Sequence, residues 1–358
     1  MPRPGARPRD AGGVTTGVDL RDVIIAHPEA DVSAFKGRVL ALDGYNTIYQ
    51  FLSSIRQPDG TPLMDDRGRV TSHLSGVLYR TSSLHALGVR VIYVFDGPPH
   101  PLKRETLEAR REVRERAKEE WDAALAEGDI ETARMKAQQT SKLTPEMVGE
   151  AKALLGAMGV PCVDAPGEGE AQAARMCARG HAWAAASQDY DSLLFGATKL
   201  VRNAALTGRR KLPGRGRREY VQVVPEVVDL PENLGALGLT RAQLVDAAIL
   251  VGTDFNHGVK GVGPKTAVKL IKQHGALEGA LRAKGAAVEH ADEVRALFLE
   301  PTVTDSYTVE FRPAEVDRAV RLLVGEHQFS EERVRAALGK LTPPRPAGPA
   351  QFTLDSFG

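Results

Sequence analysis

The sequence predicts an α/β fold with a mostly parallel central sheet flanked by helices. Three observations carry the prediction: apolar runs of strand length, helical stretches that alternate with them, and acidic residues where the runs end. "RVLALD" from Arg38 and "VRVIYVFD" from Val89 are continuously apolar with β-branched and aromatic content, the pattern of strands covered on both faces. "GVPCVDAP" and "HAWAAASQD" read as two more strands. Val70 to Leu87 and Glu168 to Arg179 carry helical patterning, so strand and helix alternate as in sheets built with crossover helices. Such sheets hold their sites beyond the carboxyl ends of the strands, where Asp43, Asp96 and Asp189 fall.

In chain order, the first sixteen residues, "MPRPGARPRDAGGVTT", lack the apolar stretch of a secretory signal and read as a disordered extension. A main domain is expected over 17–340. From Pro101 to about Thr144 the composition turns charged and strand-free, so 101–144 reads as an insertion of one long helix or two projecting from the sheet. Across 241–275 an apolar helix leads through "TDFNHGVKGVGPKTAVKLIKQHG", two helices joined by a Gly-rich turn. The segment 341–358 reads as a Pro-rich linker followed by "QFTLDSFG".

Composition narrows the function classes. Forty-seven Lys and Arg against 46 Asp and Glu leave a net charge of +1, which by itself does not point to a polyanion. Clustering says more: Lys103 to Lys118 holds seven cations in sixteen residues and Arg209 to Arg218 six in ten. No apolar run reaches the roughly 18 residues a membrane span needs. Cys162 and Cys177 are too few for a disulfide framework or a Cys-rich zinc site, which points to a reducing, intracellular compartment, whether a cytoplasm or a nucleus.

Seven carboxylates carry the chemistry: Asp43, Asp96, Glu168, Glu170, Asp189, Asp191 and Asp254, each where an apolar element runs into a Gly-rich or polar turn. Taken singly, an Asp at a strand end is as readily a helix N-cap. Taken together, the pairs Glu168/Glu170 and Asp189/Asp191 speak against caps. A spacing of two converges only outside a regular helix, and "APGEGEA" supplies a turn for the first pair. Such a crowd of carboxylates must take up protons or cations, and its oxygens suit two Mg²⁺ ions of a phosphodiester-cleaving site, with Mn²⁺ a possible substitute.

On a continuous helix Lys103, Arg110 and Arg114 share one stripe, placed to neutralise a phosphodiester. "GVKGVGPKTAVK" suits phosphate binding, because Gly261 and Gly263 let backbone amides approach a strand and a helix begins near Pro264, followed by Lys265, Lys269 and Lys272. Gln351, Leu354 and Phe357 fall at i, i+3 and i+6 and offer one helical turn to a partner's groove.

With these motifs in hand, the chain resembles the flap endonucleases, structure-specific 5′ nucleases related to the xeroderma-pigmentosum-type repair nucleases. "YQFLSSIRQ", "YRTSSLHALGVRVIYVFDGPPHPLKRETLEARR", "DAPGEGEAQAA", "GTDFNHGVKGVGPKTAVKLI" and "FLEPTV" follow that family's pattern in order. The resemblance implies a PIN-like 5′ nuclease fold with a helical arch and a helix-two-turn-helix that usually holds K⁺. It implies one metal at Asp43, Asp96, Glu168 and Glu170 and the other at Asp189, Asp191 and Asp254. Lys103 and Arg110 become catalytic cations at the arch base, Tyr49 a base-stacking aromatic, and Arg56 and Arg80 duplex contacts. The tail implies docking on a sliding clamp, weakened because Gly358 stands where the family has a second aromatic. In the family the chain starts at the glycine corresponding to Gly17, near the cleft, so two readings of the extension stand side by side: it hinders substrate, or the start codon is assigned too early.

The function expected is therefore Mg²⁺-dependent cleavage of branched DNA bearing a 5′ flap, by a monomer, in lagging-strand maturation and repair. Alternatives are a related 5′–3′ exonuclease, a gap or bubble nuclease, an RNA-directed nuclease, or a non-catalytic, clamp-tethered binder of DNA structures.

Overall fold

The structure, a computed structural model, describes residues 17–57, 59–137, 139–204, 208–211 and 220–341. The N-terminal extension, most of the Pro-rich linker, Gln351, Leu354 and Phe357 lie outside these residues, as do Arg215, Arg217 and Arg218 of the second basic cluster.

The strands are β1 (His27–Pro28), β2 (Val39–Asp43), β3 (Arg90–Phe95), β4 (Cys162–Asp164), β5 (Ala184–Ala186), β6 (Lys199–Arg202), β7 (Gly208–Lys211), β8 (Tyr220–Val223) and β9 (Glu226–Asp229). Seven of them form one sheet in the order β1-β9-β6-β5-β2-β3-β4, while β7 and β8 pair separately. From β6 through β4 the pairing is parallel, and β9 and β1 add an antiparallel edge. The sheet is mostly parallel, as the apolar runs predict.

The reason lies in which side chains each strand presents. Leu40 and Leu42 of β2 join Val91, Tyr93 and Phe95 of β3 in the core on one face. Ala41 joins Ile92 and Val94 on the other. Both faces are buried, which is why these strands read as unbroken apolar runs rather than alternating ones. Each fully buried Leu or Ile contributes roughly 2 kcal/mol of apolar burial.

One face is covered by α1 (Gly44–Ser54), α2 (Ser72–Ala86), α5 (Pro145–Ala157), α13 (Val316–Val320) and α14 (Glu331–Gly339). The other is covered by α6 (Gly169–Ala178), α7 (Asp191–Leu194), α8 (Leu230–Leu237), α9 (Arg241–Val251), α10 (Pro264–His274), α11 (Leu277–Lys284) and α12 (Ala291–Leu299). Among the described residues no single helix is long and apolar enough to cross a membrane. Cys162 and Cys177 are free thiols.

The charged insertion consists of two helices, α3 (Arg104–Ala126) and α4 (Ile130–Ala137). Only Ala117 and Ala124 of α3 are buried, so small side chains let the pair pack closely, while Leu107, Leu125, Ile130 and Met135 stay exposed among its charged residues. Lys103 departs from the expected continuous helix. It closes a short 3₁₀ turn, Pro101–Lys103, immediately before α3, with backbone angles close to helical (φ −81°, ψ −6°), so the stripe it begins is kept.

Candidate active site

Parallel register brings the carboxyl ends of β2, β3 and β5 to one edge of the sheet. Val39 pairs with Arg90 and Leu40 with Ala184, so Asp43 at the end of β2, Asp96 just past β3 and Asp189 beyond β5 emerge side by side. All seven predicted carboxylates line one cleft of about 130 Å³, with Lys103, Arg110, Tyr45 and Asn46 completing its wall.

Local structure explains the convergence. Glu168 is the extended N-cap of α6 (φ −68°, ψ 128°) and Glu170 lies in its first turn, so the helix begins between them and the two can face the same space. The Gly169 amide donates to Asp96 Oδ1 at 2.5 Å, and a Cβ on Gly169 would lie 2.7 Å from that oxygen, so a side chain here displaces the Asp96 carboxylate. Asp43 is the N-cap of α1, its Oδ1 accepting from the Asn46 amide at 2.9 Å. The reading of a strand-end Asp as a cap is thus true of Asp43 as well as its place in the cluster. Asn46 then reaches across to Asp189 Oδ2 at 3.2 Å.

The charge balance of the cleft favours bound cations. Burial, aided by the charge of Asp96, pushes the Asp43 carboxyl up to about 8. Burial and neighbouring Asp254 push Asp191 up to about 7, and burial with Asp191 raises Glu170 well above the usual carboxylate range. Asp96 is raised by burial and by Glu168. Burial works against the charge of Lys103, yet Glu168 at 2.6 Å and the other carboxylates outweigh it and raise its affinity for the proton. Arg110 donates to both oxygens of Asp254, at 2.7 and 2.8 Å. Two cations against seven carboxylates leave an acidic, oxygen-only donor set, which fits hard divalent cations. Among the described residues no three such donors are already closed into a coordination shell; Lys103 and Arg110 reach into the space between them.

Residues 19–117 match the family model described as the XPG N-terminal domain, and residues 159–254 the one described as the XPG I-region. Flap endonuclease 1 of Archaeoglobus fulgidus is 51% identical over 325 residues, 91% of this chain and 96% of the relative. The chain belongs to the flap endonuclease 1 family. The flap endonuclease 1 of Caldivirga maquilingensis is 52% identical, covering 90% of this chain and 93% of its own length. Among solved structures, the flap endonuclease-1 from Methanococcus jannaschii superposes with a TM-score of 0.72 at 40% identity, over 91% of this chain and 98% of its own. The catalytic core of Rad2 in complex with DNA substrate shares the fold, with a TM-score of 0.65 at 23% identity over 88% and 96% of the two chains.

None of the residues with predicted DNA contacts lines the flap endonuclease cleft. Tyr49 is half-buried on α1, one turn beyond Tyr45, which is the aromatic that lines the cleft. Arg56 is spent within the fold, its guanidinium donating to the carbonyls of Leu52 and Gly60 and to Ser141 Oγ. Arg80 is half-buried on α2, and Arg114 is not among the cleft-lining side chains. A Gly-rich turn joins α9 to α10. Gly261 takes φ +79°, Gly263 is the N-cap of α10 without a side-chain cap, and a Cβ on either would meet open space. Lys265, Lys269 and Lys272 are exposed along α10.

Beside Tyr45 and Asn46, three contributors escaped the reading of composition and spacing. The amide of Gly17 donates to Asp254 Oδ1 at 3.0 Å and that of Val18 to Asp191 Oδ1 at 2.8 Å. Gly17 is left-handed (φ +65°), and a Cβ there would lie 2.9 Å from the Asp189 Cβ, so only glycine fits among these carboxylates. The family resemblance places Gly17 near the cleft, but no pattern in the sequence signals these two contacts. The third is Thr106, which donates to the Asp254 carbonyl at 2.8 Å. The helical spacing that links Lys103 to Arg110 also puts Thr106 on their stripe, so arithmetic alone finds it.

Proposed function

We infer that this flap endonuclease cuts DNA at the junction of a single-stranded 5′ flap with duplex, by a two-metal-ion mechanism at the seven-carboxylate cleft. The single observation that supports the mechanism is the union, in one cleft at the start of α3, of Asp43, Asp96, Glu168, Glu170, Asp189, Asp191 and Asp254 with Lys103 and Arg110. Two Mg²⁺ ions held by these carboxylates, or Mn²⁺ in their place, would supply Lewis acidity for water activation and for the leaving oxygen. By family resemblance Asp43, Asp96, Glu168 and Glu170 hold one and Asp189, Asp191 and Asp254 the other.

The chain's own residues do the rest. Lys103 and Arg110 exchange their carboxylate partners for the scissile phosphate and neutralise charge as it builds. Amides of the Gly261–Gly263 turn and Lys265 and Lys269 hold duplex backbone, with K⁺ at the turn, which makes affinity salt-dependent and insensitive to sequence. Tyr49 stacks beside the cleft, while Arg80 and Arg114 add phosphate contacts. Gln351, Leu354 and Phe357 dock the monomer on a sliding clamp during lagging-strand maturation.

Product mapping on an end-labelled double-flap duplex tests this reading. Cleavage near the junction that requires a divalent ion is expected, with Asp189→Asn losing cleavage while flap binding in Ca²⁺ is largely retained. Unchanged cleavage by Asp189→Asn, or cutting in EDTA, refutes the two-metal assignment.

A further inference from the structure

Lys103, Thr106 and Arg110, at i, i+3 and i+7, all reach Asp254, but not in the same way. The Lys103 ammonium stands 3.7 Å from its carboxylate and Arg110 donates to both its oxygens, so both contacts compete with any cation that carboxylate takes. Thr106 Oγ1 donates instead to the main-chain carbonyl of Asp254 at 2.8 Å, which metal binding leaves alone. That carbonyl is itself held still. Asn256 returns its carbonyl to the Thr253 amide at 3.1 Å, accepts from Thr253 Oγ1 at 2.7 Å, and ties to the end of α9 through the Ile249 carbonyl at 2.9 Å. Below the arch base, the Phe255 ring lies 5.5 Å from the Lys103 ammonium.

We propose that Thr106 is a positioning residue for cleavage: its hydroxyl registers α3 on the Asp254 turn, so that Lys103 and Arg110 keep their places when the carboxylate lets them go. The inference rests on the flap-cleavage reading above. A group that acts by placing others loses rate through misplacement, and a shift of about 1 Å in a positioned cation costs tenfold or more.

The test compares Thr106→Val, which keeps the shape and removes the donor, with Thr106→Ser, which keeps the donor. Three quantities are read: single-turnover cleavage of a labelled 5′-flap duplex, affinity for the same duplex in Ca²⁺, and hydrogen exchange of the first turns of α3 in metal-free protein. Thr106→Val is expected to cut about tenfold more slowly with affinity within about twofold, and to exchange faster at the start of α3, while Thr106→Ser restores both. In a Lys103→Ala background the valine substitution is expected to add little, because its effect passes through the cations it places. Full cleavage by Thr106→Val, or an undiminished tenfold fall in that background, overturns the inference. Thr106→Ala replaces the valine variant if melting shows it unfolded. Wild-type protein that leaves the flap intact refutes the function reading instead, and the exchange measurement still decides the role of Thr106.

Discussion

Asp43 serves two ends with one side chain, capping α1 through Oδ1 and facing the cleft with Asp96 and Asp189. Asn caps a helix about as well as Asp does, whereas Ala forfeits about 1 kcal/mol. Asp43→Asn is therefore expected to lose cleavage and keep its thermal stability, while Asp43→Ala loses both; circular-dichroism melts beside flap cleavage separate the roles. Gly17→Ala makes a different point. Its Cβ would press on the Asp189 side chain, so weaker divalent-ion binding by calorimetry and slower cleavage are expected from one added methyl group. The carboxylates were legible because strand ends and paired spacing have physical meaning in the sequence. Gly17 was not, because a backbone amide bonded across 237 residues of chain leaves no pattern.

At the level of elements, α10 is the part whose role is easiest to isolate. Lys265 and Lys269 are exposed on it, beyond the open turn at Gly261. Replacing either with Ala should weaken duplex binding equally for all sequences and lower the slope of log affinity against log salt by about one, read from fluorescence titrations at several ionic strengths. Long buried strands and the long helices announced themselves: β2 and β3 through unbroken apolar runs, α3 through its charge. The strands β6 and β9 did not. Each is four residues long with a charged residue at either end, Lys199 and Arg202 in one and Glu226 and Asp229 in the other, so neither periodicity nor apolar length marks them. Their antiparallel pairing appears only once the sheet is assembled. The boundary between Lys103 and α3 was likewise invisible, since Lys103 (ψ −6°) and Arg104 (ψ −50°) both fall in the right-handed helical region and no residue type marks the change.

Across the whole molecule, the buried acids tie stability to pH. Burial holds Asp43 up to about 8 and Asp191 up to about 7, while an unfolded chain releases such protons near pH 4. The folded state thus binds more protons between these limits, and the contribution is fully present below about pH 4 and lost as pH rises through 7 to 8. Metal-free protein should melt at lower temperature at pH 8 than at pH 5 as far as these groups decide it. Added Mg²⁺ should raise the melting point more at pH 8, where it no longer competes with protons; scanning calorimetry at both pH values checks the sign. A last consequence concerns the order in which the chain is made. Synthesis runs from the amino end, and Lys103, Thr106 and Arg110 leave the ribosome well over a hundred residues before the turn they fasten to, Asp254 lying 148 residues beyond Thr106. A nascent chain already displaying its arch cations and most of its acids still lacks the residue on which all three close, so the site is completed late and at once, after the turn that follows α9 has emerged.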